Sequence, residues 1–216
     1  MARLTEQQHN DRLGRFTASE IYKLMTMDRT GKAWGKTAHG YILANVKEVI
    51  TGQRQGGFSN AATEWGYIHE PCALLHFELV HGMRIKDPGF LKYNQDSGGT
   101  PDGYINELPA SVQVKCPYSP EVHKKYCKFV DAADLKRTCK AYYWQMVFEM
   151  MCSKVKQSVF ISYDPRNQAN PMHVVHVPLL EHDEKALLLK LNSAIEMKHL
   201  LLESYRELYY GETRAA

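Results

Sequence analysis

Gly99-Thr100-Pro101-Asp102-Gly103-Tyr104-Ile105 and, after a short turn, Ser111-Val112-Gln113-Val114-Lys115-Cys116-Pro117 are the two segments around which the chain is organised. Val112 and Val114 are apolar while Gln113 and Lys115 are polar, and alternation of period two marks one face of a half-buried strand. Strand residues two apart point the same way, so Gln113 and Lys115 project together from the face opposite the valines. Pairing the segments as a hairpin around Asn106 to Pro109 puts Asp102 beside them. A carboxylate, an amide oxygen and an ammonium then converge on one spot. Taken alone, Asp102 also fits a turn-forming residue ahead of Gly103.

Upstream, Thr17-Ala18-Ser19-Glu20 has the spacing of a capping box and predicts a short helix over roughly Ala18 to Met27. Ala38, Tyr41, Ile42, Val46, Val49 and Ile50 recur at helical spacing from Lys36 to Thr51, and Gly52 supplies a stop. Gly52 to Asn60 reads as a mobile polar loop. Asn60 can cap a long helix with Trp65, Ile68, Leu74, Phe77 and Val80 on its buried side, interrupted by Pro71 directly after Glu70. Met83 to Lys86 and Gly89 to Tyr93 read as short strands with a turn at Asp87-Pro88.

Downstream, Ser119-Pro120-Glu121 starts a helix, and a second runs from about Asp134 to Met151 with Leu135, Tyr142, Met146, Val147 and Met150 buried. Val155 to Tyr163 is β-branched and aromatic enough for a central strand, with Met172 to Val177 as its neighbour. From Asp183 to about Tyr209 the apolar positions cover more than one stripe, which predicts a long helix packed on the core and on another subunit. The element order predicts an α/β fold around one mixed sheet flanked by helices, ending in that long helix.

The 216 residues suit one domain, 1–216, and 44% hydrophobic with 24% charged residues is an ordinary globular balance. No apolar run approaches the ~18 residues of a membrane span, and the N-terminus lacks a signal-peptide stretch, so a cytosolic protein without membrane association is expected. Five cysteines without a Cys-x-x-Cys pair read as reduced thiols. A net charge of +3 excludes neither a nucleic-acid partner nor its absence. Lys124, Lys125, Lys128, Lys136 and Arg137 between Lys115 and Lys140 give a local excess suited to phosphate.

Pro101-Asp102 with Gln113-Val114-Lys115 resembles the PD-(D/E)XK nuclease signature, with an amide at 113 where the second carboxylate belongs. Thr100-Pro101-Asp102-Gly103 and Val114-Lys115-Cys116-Pro117-Tyr118 are similar to the YqaJ-type viral recombinase, or phage lambda exonuclease, family. Arg12 to Glu20, Trp65-Gly66-Tyr67-Ile68-His69-Glu70, Gln145 and Tyr163-Asp164-Pro165-Arg166 follow in the family's order. The resemblance implies a restriction-endonuclease-like core and an ATP-independent, Mg²⁺-dependent 5′-to-3′ exonuclease on double-stranded DNA ends, with Mn²⁺ able to substitute. It also implies a ring-shaped homotrimer, a single-strand annealing protein as partner, and a phage or prophage origin in the bacterial host cytoplasm.

Residue by residue, the resemblance makes Glu70, Asp102, Gln113 and the main-chain carbonyl of Val114 metal ligands, and Glu70, Asp102, Gln113 and Lys115 the catalytic set. Arg12, Ser19 and Gln145 are implied to contact DNA and its 5′ phosphate. Hard divalent cations prefer charged oxygen ligands, so Gln113 predicts one well-held metal, a weak second one and slow cleavage. The family's strand-parting apolar wedge falls on Thr63, unless Phe58 supplies it. A DNA-end-binding module with little catalysis and a sequence-specific endonuclease are the competing readings. Dispersed cysteines disfavour an iron–sulfur nuclease of CRISPR adaptation.

Overall fold

The computed structural model describes residues 6–54 and 60–211, apart from the side chains of residues 7, 8 and 210. Phe58 and most of the loop expected between Gly52 and Asn60 lie outside that range. The elements run α1 (Glu6–Arg12), β1 (Phe16–Thr17), a 3-10 helix (Ala18–Met25), α2 (Lys36–Thr51), α3 (Ala61–His81), β2 (Ile85–Lys86), β3 (Leu91–Asn94), β4 (Ser97–Gly99), β5 (Gly103–Ile105) and β6 (Ala110–Lys115). They continue with α4 (Pro120–Tyr126), α5 (Ala132–Thr138), α6 (Lys140–Ser153), β7 (Gln157–Tyr163), β8 (Met172–Pro178) and α7 (Glu181–Tyr210).

Among the described residues two sheets replace the single one expected. Five strands run in the order β2-β5-β6-β7-β8, with β6 parallel to β7 and the other neighbours antiparallel. A smaller sheet, β1-β4-β3, uses Ser97-Gly98-Gly99 as its middle strand. The two short segments around Asp87-Pro88 therefore do not pair with each other: β2 joins β5, and β3 joins β4.

The hairpin of β5 and β6 forms in the expected register, with Gly103 opposite Val112. However, β6 is not half-buried. Ala110 to Val114 are all buried, because helices cover both faces of the larger sheet. On one side Ala73 and Phe77 of α3 pack with Val112, Val114, Val159 and Ile161. On the other, Met146 and Met150 of α6 pack with Phe160, Val175 and Val177 and with Ile21 and Leu24 of the 3-10 helix. Truncating a buried aromatic such as Phe77 costs about 3–5 kcal/mol.

Helix starts and stops follow local chemistry in some places and depart from it in others. Asn60 accepts a hydrogen bond from the Thr63 N–H at 3.0 Å and caps α3. Gly52 ends α2 at φ 64°, a left-handed conformation that costs glycine least. The capping box at Thr17 is not made: Thr17 forms no cap bond, and Glu20 pairs instead with Lys23 inside a 3-10 helix. The helix expected over Asp134 to Met151 is two helices that meet at Cys139. Ile68 and Val80, expected on the buried side of α3, are 64% and 60% exposed.

The last helix is tied to the front of the molecule as well as to the core. Leu187, Leu191 and Ala194 of α7 enter the core, while the buried Lys198 donates to the Gly14 carbonyl at 2.7 Å and to Asp96 at 2.5 Å. A second tie joins α3 to the segment after β6. Arg166 forks onto the buried Asp164 at 2.8 and 2.9 Å, reaches the carbonyls of Pro117 and Tyr118, and stacks 4.1 Å from the Trp65 ring. Among the described residues no helix is long and apolar enough to cross a membrane.

Candidate active site

The loop entering β5, the end of β6 and one side each of α3 and α6 open onto a cleft of about 450 Å³. All eight residues singled out in the sequence line it: Glu70, Asp102, Gln113, Val114, Lys115, Arg12, Ser19 and Gln145. Thr63 lines it too. Tyr67, Phe90, Thr100 and Glu149 also line it without having been assigned roles. Tyr67 stands three residues before Glu70, on the same helical face, and Thr100 two before Asp102. No sequence signal marks Phe90.

Backbone pairing places Asp102. Its N–H donates to the Val112 carbonyl at 3.0 Å, and its carboxylate accepts from the Val114 N–H at 2.8 Å. The Gln113 side-chain amide donates to that same carboxylate oxygen and, at 3.3 Å, to the Val114 carbonyl. An N–H therefore lies between the two groups that the resemblance makes metal ligands. Behind it, Gln145 of α6 donates to Gln113 Oε1 and, at 2.8 Å, to Glu149 Oε1. The other oxygen of Glu149, Oε2, is buried without a hydrogen-bond partner among the described residues.

Charge in this cleft is poorly balanced. Burial raises the Asp102 carboxyl to about 7; Lys115 opposes the rise and Glu70 adds to it. Burial and then Asp102 push Glu149 well above the ordinary carboxylate range, against Gln145, Lys115 and Arg12. Lys115 Nζ stands 4.7 Å from the Tyr142 ring. Arg12 Nη2 donates to Thr100 Oγ1 at 2.6 Å, which binds the N-terminal segment to the residue two before Asp102. Burial and Arg54 lower the Arg12 guanidinium, though not enough to discharge it.

The basic run after Lys115 is more neutralised than its composition suggests. Lys124 pairs with Glu121, Lys136 with Asp183 and Arg137 with Asp134. Lys125 and Lys128 remain exposed, while Arg12 and Lys115 line the cleft.

Among the described residues no three carboxylate, imidazole or thiol groups stand together as a metal cage. The donors nevertheless fit a hard divalent cation that keeps part of its water shell. They are all oxygens from Asp102, Glu70, the Val114 carbonyl and Gln113, beside a buried carboxylate oxygen still short of a partner. Gln113 meets that requirement only by turning its amide oxygen toward the cation or withdrawing.

A family model for the YqaJ-like viral recombinase domain matches residues 8–156. The chain belongs to the YqaJ-like viral recombinase family. In fold it is similar to an alkaline exonuclease from Laribacter hongkongensis, LHK-Exo, whose structure alone and in complex with dAMP each gives a TM-score of 0.80 at 20% identity, covering 94% of this chain and 97% of that one. A phage-related exonuclease from Haemophilus somnus 129PT gives a TM-score of 0.71 at 16% identity, covering 88% and 96%. Among curated proteins no sequence matches.

Proposed function

We propose that this chain, acting as one nuclease domain, is a divalent-cation-dependent exonuclease that degrades the 5′-ended strand at ends of double-stranded DNA. The product is a 3′ single-stranded overhang, suited to a single-strand annealing protein. The observation that carries the reading is the shared cleft, in which Glu70, Asp102, Gln113 and Lys115 stand with Arg12 and Ser19. Family membership and the alkaline exonuclease fold support it.

Asp102, Glu70, the Val114 carbonyl and Gln113 would hold Mg²⁺, or Mn²⁺ in its place. The ion, when bound, supplies Lewis acidity toward phosphate and a more acidic water. Lys115 orients the attacking water and offsets negative charge as the P–O3′ bond breaks. Arg12, with a planar fork of donors, and Ser19 engage the terminal 5′ phosphate. Gln145 fixes the Gln113 amide. The exposed Leu189, Leu200 and Leu208 of α7 favour contact with further copies, in keeping with a homotrimeric ring in the cytoplasm of a bacterial host. ATP has no part in the reaction.

The test is digestion of end-labelled linear duplex and of closed circular DNA with Mg²⁺, with Mn²⁺ or with chelator. Mononucleotides from linear duplex alone, with either metal, are the expected result. Cutting of the circle would replace this reading with an endonuclease. Binding without any product would replace it with an end-binding module, the second reading, which the Gln113 N–H on Asp102 favours.

A further inference from the structure

Glu149 is a fully buried carboxylate in an apolar stretch of α6, between Phe148 and Met150. One oxygen accepts from Gln145 at 2.8 Å, and Gln145 in turn donates to Gln113. The other oxygen has no hydrogen-bond partner among the described residues, although the residue lines the cleft. Desolvating a carboxylate and leaving half of it unsatisfied is costly unless a positive charge or donor serves it. Across the cleft stands position 113, where an amide occupies the place of an acid. One acid is missing on the strand, and one is present on the helix, joined to position 113 by a single glutamine.

Resting on the cation-dependent reading above, we propose that Glu149 supplies the negative charge that position 113 lacks. It is a positioning residue: its charge acts through space on a cation held at Asp102, and through Gln145 it fixes the Gln113 amide oxygen. The arrangement follows from the donor geometry. Gln145 gives N–H groups to both neighbours, so Glu149 must present an oxygen to it, and so must Gln113. Burial favours the protonated acid in the metal-free chain, and a cation at Asp102 favours the ionised form of Glu149 across a poorly screened interior. Groups that support a metal ligand from behind commonly govern metal affinity by about 10–100-fold, and Glu149 stands two hydrogen bonds behind Gln113.

The test is Mn²⁺ binding, by calorimetry or by electron paramagnetic resonance, to the full chain without DNA. E149Q keeps an oxygen for Gln145 and removes only the charge. It is expected to weaken Mn²⁺ binding about tenfold or more, while D102N abolishes binding. Moving the charge back, in the double variant Q113E/E149Q, is expected to restore affinity to within about threefold of the starting protein, a rescue that a packing role would not give. E149Q that binds Mn²⁺ as the starting protein does, with D102N defective, overturns the role of Glu149 alone. Unchanged binding in D102N overturns the cation site and the proposed function with it. Should E149Q be too unstable to titrate, Q113E against Q113E/E149Q decides: equal affinities sink the proposal, and a loss of about tenfold on removing Glu149 supports it.

Discussion

The side-chain amide of Gln113 and the carboxylate of Asp102 are hydrogen-bonded to each other, nitrogen to oxygen, at the centre of the cleft. An amide N–H fills the direction from which a cation would approach that oxygen. The contact gives a physical basis for the slow cleavage that the amide at position 113 leads one to expect.

Replacing the amide by a carboxylate removes the competing donor. For Gln113→Glu we expect metal-dependent cleavage of linear duplex to rise about tenfold or more, since a hard cation prefers a charged oxygen. In chelator the same variant is expected to melt at a lower temperature, because Asp102 and Glu149 then face another acid. An unchanged cleavage rate would refute the slowing assigned to Gln113.

Asp102 gives the metal-free protein an unusual pH dependence. Its carboxyl holds its proton up to about 7 in the folded chain, chiefly through burial, whereas an unfolded Asp releases it near ~3.9. Between those values the folded state binds more protons, so this group's stability is fully present below the unfolded value and is lost as pH rises toward 7. In chelator, melting temperature should fall by a few degrees from about pH 5 to pH 7.5, the equivalent of roughly 1–2 kcal/mol for a chain of this size. Asp102→Asn should flatten that slope, and Mn²⁺ should oppose it.

Arg12 is proposed to recognise the 5′ phosphate, and loss of a charged hydrogen bond costs about 1.5–3 kcal/mol. Arg12→Ala is therefore expected to weaken binding of 5′-phosphorylated duplex ends by roughly 10–100-fold in chelator, and to leave 5′-hydroxyl ends nearly unaffected. Fluorescence anisotropy with the two labelled duplexes measures the difference. Equal losses on both would remove Arg12 from phosphate recognition.

Arg166 holds the Trp65 end of α3 against the segment after β6 through Asp164. Its side chain is 39% exposed, so the ion pair is partly screened, and Arg166→Ala should cost about 2 kcal/mol, mainly by stranding the buried Asp164. Lysine cannot fork, and Arg166→Lys should recover little of the loss. Although burial opposes it, Arg166 holds the Asp164 carboxyl below its ordinary value. This stability is present above the unfolded value and disappears as pH falls into the acid range, so Arg166→Ala should narrow the gap from the starting protein at low pH. Urea melts at two pH values test both points.

The sequence carried the helix limits and the hairpin well where local chemistry sets them. Asn60, Gly52 and the β5–β6 turn act within a few residues of themselves. Other features depend on distant neighbours. Leu135 and Tyr142 keep an apolar rhythm across Cys139, so the break between α5 and α6 leaves no local mark. Ser97-Gly98-Gly99 looks like a loop because glycine is a poor strand former. It is a strand because it pairs with β1 on one side and β3 on the other, and glycine stands at 99 because an added Cβ would lie 2.9 Å from Ala18 Cβ. The site residues were readable through the motif and the register it implies. In the sequence Glu149 is no more than a polar residue one turn from Gln145, and its buried, half-partnered state arises from the packing of α6 against β4 and β6.

Lys198 belongs to a stretch of chain beyond residue 156, where the family match stops, yet its ammonium grips the carbonyl of Gly14, two residues after Arg12. The C-terminal helix thereby works as a remote anchor for the N-terminal arm. A deletion that trims α7 before Lys198 would loosen Arg12, and would weaken the proposed hold on a terminal phosphate without touching a single residue of the cleft.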